Sequence, residues 1–255
     1  MIINKHNVLT YLAIISESRK KSEIFKYMLR RARGAKVKFD QDVILKSNGL
    51  LFNCGRIMEN CTVACSAFES DLLHGIKLKP GIFIDVGAHI GKHSLNIARK
   101  YGKDMKVVSI EASPDTFKLL RNNIELNSLH GVEAFNFACS DKIGQAVFWK
   151  SEYHPATNSF SEVHSAQKLI LPTNTLDNVI KDKSAVRAIK IDVEGAELEV
   201  LRGAKKILVK SKPLIIFEAW DKNKLTEISK ELDQYRYKIK QVDEYNYIAS
   251  ISENN

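Results

Sequence analysis

Ile82-Phe83-Ile84-Asp85-Val86-Gly87-Ala88-His89-Ile90-Gly91 decides how the rest of the chain reads. A short apolar strand, Ile82 to Val86, runs straight into a glycine loop, and helical spacing follows over Lys92 to Lys100. A strand that feeds a helix through a tight loop is the unit of an open parallel sheet, whose ligands bind beyond the carboxyl ends of its strands. Gly87 and Gly91 are spaced G-x-x-x-G. Gly87 is expected to let the chain turn sharply and a ligand approach the backbone, and Gly91 to let the helix start close to the sheet. Free N–H groups at that helix's N-terminus favour a carboxylate. A dinucleotide site wants G-x-G-x-x-G, which this loop lacks, so a dinucleotide-dependent oxidoreductase takes a lower place.

Downstream the rhythm repeats. Val107 to Ile110 reads as a second strand, followed by a helix opened by Ser113-Pro114-Asp115 with Phe117, Leu120 and Ile124 at helical spacing. Val132 to Ala138, Ala188 to Val193 and Leu214 to Ala219 read as further strands, the last two separated by a helix carrying Leu201, Ala204 and Leu208. This alternation predicts a mostly parallel α/β sheet. Tyr237 to Val242 and Tyr247 to Ile251, joined by a turn around Glu244 to Asn246, should pair antiparallel at one edge. Residues 151 to 177 read as a long irregular insertion holding His154, Ser159, Ser161 and His164, and such stretches are often functional. Upstream, residues 8 to 33 read as one or two helices, residues 37 to 52 as a β-hairpin turning at Asn48-Gly49, and Glu59 to Leu78 as a helix. Lys79-Pro80-Gly81 breaks the chain, which divides it into an N-terminal helical and hairpin cap, 1–79, and a main domain, 80–255.

With 255 residues and 44% apolar content the chain can bury a substantial core. Its formal charge of +9 is unevenly placed: residues 1–38 hold ten Lys/Arg against Glu17 and Glu23, a net +8. Such a leader suits membrane phospholipid or an acidic partner, and reads more simply as a solvated helix face. The remainder is nearly neutral, which counts against a nucleic-acid surface. Cys54, Cys61, Cys65 and Cys139 contain no C-x-x-C pair, so no structural metal is expected. Val8 to Ile15 is too short to span a bilayer, and a reduced, cytoplasmic protein is expected.

Two further stretches carry acids to the same sheet edge. Glu111 ends the second strand, where a carboxylate can accept hydrogen bonds from both hydroxyls of a ribose. Lys190-Ile191-Asp192-Val193-Glu194-Gly195-Ala196-Glu197 places Asp192 on the fourth strand and Glu194 just after it. Carboxylates there can orient an acceptor hydroxyl, take its proton, or help hold a divalent cation. Glu197 reads more simply as a residue that favours the first turn of the next helix.

Together these stretches, with Phe68-Glu69, Ser109-Ile110-Glu111-Ala112-Ser113-Pro114 and Thr175-Leu176-Asp177, resemble the FkbM family of methyltransferases over about residues 66 to 220. The resemblance implies a class I methyltransferase fold: a Rossmann-like three-layer sandwich with a seven-stranded sheet, one strand antiparallel. It implies S-adenosyl-L-methionine as cofactor and transfer of its methyl group to a hydroxyl of a sugar, glycolipid or other natural product. By position, Asp85, Gly87, Ala88, His89 and Gly91 would hold the methionine half, Glu111 with Ala112 the ribose, and Cys139, Ser140 and Asp141 the adenine. His89 departs from the Asn that the family often shows, and His93 follows one helical turn later. Asp192 or Glu194 is the expected catalytic carboxylate, with or without a metal ion, and His154 or His164 the competing base. The acceptor is expected to be a small molecule or glycan. A nucleic-acid methyltransferase is disfavoured by the charge placement and by the absence of an Asn-Pro-Pro-Tyr-like tetrapeptide after the fourth strand. A catalytically silent binding scaffold is the remaining alternative, and the oligomeric state stays open.

Overall fold

The computed structural model describes residues 5–34, 38–68, 72–73, 75–150 and 167–251. After helices α1 (Lys5–Glu17) and α2 (Lys21–Ala32) come the hairpin β1 (Ile44–Ser47) and β2 (Leu50–Asn53), then α3 (Met58–Ala64). The main sheet begins with β3 (Gly81–Val86), α4 (Lys92–Tyr101), β4 (Met105–Ile110), α5 (Pro114–Leu126) and β5 (Val132–Phe135). The chain continues through β6 (Ala138–Cys139), β7 (Gly144–Lys150), β8 (Gln167–Asn174), α6 (Leu176–Val179), β9 (Val186–Ile191), α7 (Glu197–Arg202) and α8 (Lys205–Lys210). It closes with β10 (Leu214–Glu218), α9 (Lys222–Asp233), β11 (Lys238–Gln241) and β12 (Asn246–Ser250).

Seven strands form the central sheet in the order β11-β12-β10-β9-β3-β4-β5, and β12 alone runs antiparallel to both its neighbours. The expected parallel sheet with a terminal hairpin is therefore what forms. Successive residues of a strand point to opposite faces, and both faces are apolar here. Ile84, Val86, Ile189, Ile191 and Ile215 pack toward α7, α8 and α9, whereas Phe83, Val107 and Ala188 pack toward α4 through Ile97 and Ala98. Three layers follow from that burial. Helix starts are set locally: Pro114 opens α5, where its missing N–H costs nothing, and the Asp221 carboxylate accepts from the N–H groups of Asn223 and Lys224 at the start of α9.

Several boundaries differ from the sequence reading. The third strand of the sheet ends at Phe135, and Ala138–Cys139 crosses into a second, three-stranded sheet ordered β6-β8-β7. Residues 167–174, expected to be irregular, form a strand paired antiparallel with β7 over Gln167 to Thr173. Its residues from Leu169 to Thr173 turn inward alternately, but the sequence sets three apolar residues in a row, Leu169-Ile170-Leu171, so no period of two marks it. The helix expected over Glu59 to Leu78 stops at Ala64. The single helix expected around Leu201 is two, α7 and α8, which break at Gly203 and Ala204; at 203 a Cβ would lie 2.1 Å from the Ser140 carbonyl oxygen. His154, His164, Ser159, Ser161 and Glu69 lie outside the described residues.

The elements before residue 80 share a core with those after it. Ile14, Ile24, Phe39, Phe52 and Cys61 pack in one cluster with Ala88, Ile90, Leu95 and Leu120. Leu95 and Leu120 are fully buried there, each contributing about 2 kcal/mol by removal from water. Asparagines of α5 complete the join. Asn123 Oδ1 accepts from Asn53 N, Asn127 Oδ1 accepts from Leu51 N, and Asn127 Nδ2 donates back to Leu51 O, so side chains take the hydrogen bonds that a third strand would make with β2. Among the described residues no helix is long and apolar enough to cross a membrane.

Candidate active site

The glycine loop after β3 is held between two strands. Gly87 N and Ala88 N donate to Ile110 O at the end of β4, while Asp192 N, one residue past β9, donates to Val86 O. Gly87 has φ +78°, and a Cβ there would lie 1.7 Å from the Asp192 carbonyl oxygen. The close approach that requires glycine is thus to the neighbouring strand's backbone, where the sequence suggested a ligand. At Gly91, φ +94°, a Cβ would meet Leu95 and Leu120 at 2.6 and 2.7 Å, so this glycine lets α4 start tight against the core.

Beyond these strand ends lies a cavity of about 340 Å³, within the range of small-ligand sites. Gly87, Ala88, His89, Glu111, Ala112, Cys139, Asp192 and Glu194, all singled out from the sequence, line it. Asp85, Gly91, Ser140 and Asp141 do not line it. Asp85 is fully buried in β3, its Oδ2 accepting from Ser94 Oγ at 2.6 Å, with Ser109 Oγ donating to Ser94 in turn. Its place is beneath the loop, fixing α4 to the sheet. Ser140 is tied by its N–H to Asn174 O, and its hydroxyl donates to Asp141 in the open.

Glu111 Oε2 accepts from His89 N at 2.9 Å and Oε1 from Ser113 N at 2.8 Å, so one carboxylate organises both loops. Each oxygen keeps a lone pair for a ligand hydroxyl. Burial pushes Glu111 up to about 7, against the pull of those two N–H groups. His89 sits at φ +52° with both ring nitrogens buried and unpartnered in the protein. Burial pulls it down to about 4, which leaves a neutral imidazole at physiological pH. Nearby, burial pushes the Cys139 thiol up to about 12, so it lines the wall as a small apolar group beside Phe137 and Phe148.

The acidic part of the cavity is larger than the sequence suggested. Glu218 ends β10, which pairs in parallel with β9 at Phe217 and Ile191, so the register sets it beside Asp192. Asp192, Glu194 and Glu218 each offer an oxygen within 4.8 Å of the others, a spacing that could hold a hard divalent cation. Lys190 Nζ, itself buried, lies 2.9 Å from Asp192 Oδ2 and orients it. Burial first, then the charge of Asp192, pushes Glu194 up to about 7 and Glu218 up to about 8, so the cluster retains protons at neutral pH. Glu197 is used otherwise: its Oε1 accepts from the N–H groups of Val193 and Gly195, closing the turn in which Glu194 takes φ +51°.

Sequence reading missed Glu218, Trp220, Phe148 and the cap residues Glu59, Val63 and Phe68 on the cavity wall. For Glu218 a signal existed, an acid closing an apolar strand in the same way as Glu111. Trp220, 57% exposed, is held by donation to Glu218 Oε2 and by stacking on Tyr245 at 4.2 Å. Lys92 joins cap to loop, its ammonium donating to Cys65 O and Phe68 O from the first turn of α4.

Residues 85–248 match the model of the methyltransferase FkbM domain. The chain is similar to Methyltransferase 1 of Beauveria bassiana, 28% identical over 143 residues that cover 47% of this chain and 57% of the relative. It is 29% identical over 126 residues to the hexuronic acid methyltransferase AglP of Haloferax volcanii, covering 49% and 50%. The chain thus spans between half and two thirds of the length of these curated relatives. Among solved structures, the methyltransferase FkbM of Methylobacillus flagellatus shares the fold at a TM-score of 0.50 and 16% identity, over 66% of this chain and 43% of that one.

Proposed function

This chain belongs to the FkbM methyltransferase family, and we propose that it transfers the methyl group of S-adenosyl-L-methionine to a hydroxyl oxygen of a sugar, a glycolipid or another natural product. One observation carries the reading: a single cavity holds both Glu111, suited to a ribose diol, and the Asp192, Glu194 and Glu218 carboxylates, suited to an acceptor hydroxyl. The name of the archaeal relative, a hexuronic acid methyltransferase, supports a sugar as acceptor.

The residues present suit the cofactor. The unpartnered ring nitrogens of His89 are polar atoms that a bound ligand would satisfy. The free lone pairs of Glu111 match two adjacent hydroxyls, and Ile110, Phe137 and Cys139 give a purine an apolar wall. When bound, S-adenosyl-L-methionine supplies a methyl group already activated by its sulfonium. The protein's task is then alignment and proton removal. In this reading Asp192, held by Lys190, orients the acceptor hydroxyl, and Glu194 takes its proton as the oxygen gains the methyl group. A neutral imidazole at His89 would add no positive charge to a cavity that takes a sulfonium.

Calorimetric titration with S-adenosyl-L-methionine, followed by transfer of labelled methyl from it into the small-molecule and glycan fractions of a cell extract, tests the proposal. Asp192→Asn should bind the cofactor and lose transfer. No heat at millimolar ligand would return the chain to the silent-scaffold reading, and label in nucleic acid would return it to the nucleic-acid one.

A further inference from the structure

The cap carries apolar side chains that its own core does not use. On α2 the buried side is Glu23 and Ile24, with Tyr27 packed on Phe39 at a ring distance of 5.0 Å. On the outer side Lys21, Phe25, Leu29 and Arg33 follow one another at steps of four residues, a single row along the helix. Phe25 is 54% and Leu29 61% exposed, and both flanking cations are exposed. Helix α1 repeats the arrangement: Thr10 and Ile14 are buried, while Leu9 and Leu12 are 56% and 57% exposed. Exposed Leu or Phe residues scattered singly need no explanation, but four on two adjoining helices, one pair bracketed by cations, do.

The charge around them selects the partner. Residues 1–38 carry a net +8 of the chain's +9. Lys26 is paired with Glu23 and Arg30 with Asp40, whereas among the described residues no carboxylate pairs with Lys21, Arg31 or Arg33. A second copy of the chain would bring +8 against +8. A nucleic acid would satisfy the cations and leave Phe25 and Leu29 facing phosphate. We infer that α1 and α2 dock the protein on an anionic phospholipid surface, with Leu9, Leu12, Phe25 and Leu29 entering the headgroup boundary and the basic side chains meeting lipid phosphate. Basic and apolar residues sharing one helical surface is the pattern that binds such an interface, each component too weak alone. The docked face is linked to the cavity, since α1 packs on α3, which supplies Glu59 and Val63 to the cavity wall. This inference stands whatever the acceptor proves to be.

Sedimentation of the full chain with vesicles of phosphatidylcholine and phosphatidylserine, 7:3, tests it. The expected result is partition into the pellet at low salt that falls at least tenfold with pure phosphatidylcholine vesicles or on raising the salt to about 0.5 M, where the Debye length is only a few ångströms. Phe25→Glu with Leu29→Glu should lose binding at least tenfold while cofactor titration and thermal unfolding stay as in the parent. Lys21→Glu with Arg33→Glu, which leaves every apolar side chain in place, should do the same. No pelleting at low salt, equal pelleting with neutral vesicles, or unaltered pelleting of both double variants overturns the inference. A concentration-dependent dimer that the same substitutions abolish, without vesicle binding, overturns it in favour of self-association.

Discussion

Gly87→Ala isolates the contact on which the site's geometry turns. The added methyl would sit 1.7 Å from the Asp192 carbonyl oxygen and 2.8 Å from its carbonyl carbon, the first roughly 2 Å and the second roughly 1 Å inside ordinary contact. Both neighbours are backbone, so no rotamer relieves the clash, and the end of β9 must move. Holding an alanine at φ +78° costs about 1 to 2 kcal/mol. Losing the hydrogen bond from Asp192 N to Val86 O costs about 1 kcal/mol, and overpacking adds about 1 to 3. The expected loss in urea unfolding is about 4 kcal/mol. Because Asp192 is the displaced residue, and a misplacement of about 1 Å can cost about 100-fold in rate, methyl transfer should fall at least 100-fold in whatever fraction remains folded. Cofactor affinity, measured by calorimetry on that fraction, should change far less. The reasoning is refuted if Gly87→Ala unfolds within about 0.5 kcal/mol of the parent, or if its cofactor affinity collapses while transfer at saturating cofactor is preserved. The second outcome would mean that this glycine serves the ligand's approach and not the strand's.

Asp192→Asn should retain cofactor binding and reduce transfer by about 100-fold, the cost of an acceptor hydroxyl left misplaced by about 1 Å, as read by single-turnover transfer of labelled methyl. Glu111 is an acid whose folded pKa, about 7, lies above its unfolded value, so the folded state holds the extra proton between about 4.5 and 7. Stability without ligand should therefore fall as pH rises through that window, by about 3 kcal/mol from this group, seen in melts from pH 4.5 to 8. Cofactor affinity should move the other way, because a ribose diol donates to the ionised carboxylate. Transfer rate should rise with pH through about 7 as Glu194 loses its proton, and a pH-rate profile flat from 6 to 9 would remove Glu194 as the base. Cys139, buried with its thiol pushed up to about 12, should resist iodoacetamide at pH 8 in the folded protein, read by mass spectrometry of the peptide containing it.

What could be read from the sequence was whatever depends on neighbours along the chain. The strand, glycine loop and helix around Gly87, the acid closing β4 and the acids after β9 all announce themselves within a few residues. Glu218 closes β10 as Glu111 closes β4, but that it joins Asp192 follows only from the parallel register of β10 on β9. Glu59, Val63 and Phe68 reach the cavity wall only because the cap's core is continuous with Ile90 and Leu95. Gly87 shows a subtler limit: its type was readable as a close approach, yet what approaches is the carbonyl of a residue 105 positions later. Strand β8 escaped for a different reason, since its apolar and polar residues do not alternate cleanly.

The asparagines that fasten β2 to α5 also bear on the order in which the molecule can be built. Asn123 and Asn127 lie 70 and 76 positions beyond the backbone N–H groups they accept. A two-stranded hairpin is at best marginal alone, and at a synthesis rate of about 5–20 residues per second the one made by β1 and β2 waits about 4 to 15 seconds for those side chains to leave the ribosome. Through that interval β2 presents an open row of donors and acceptors, with Leu50 and Phe52 not yet covered. The hairpin is made before the helix that completes its edge, and any slowing of translation between residues 53 and 127 lengthens the time in which that edge can pair with another chain.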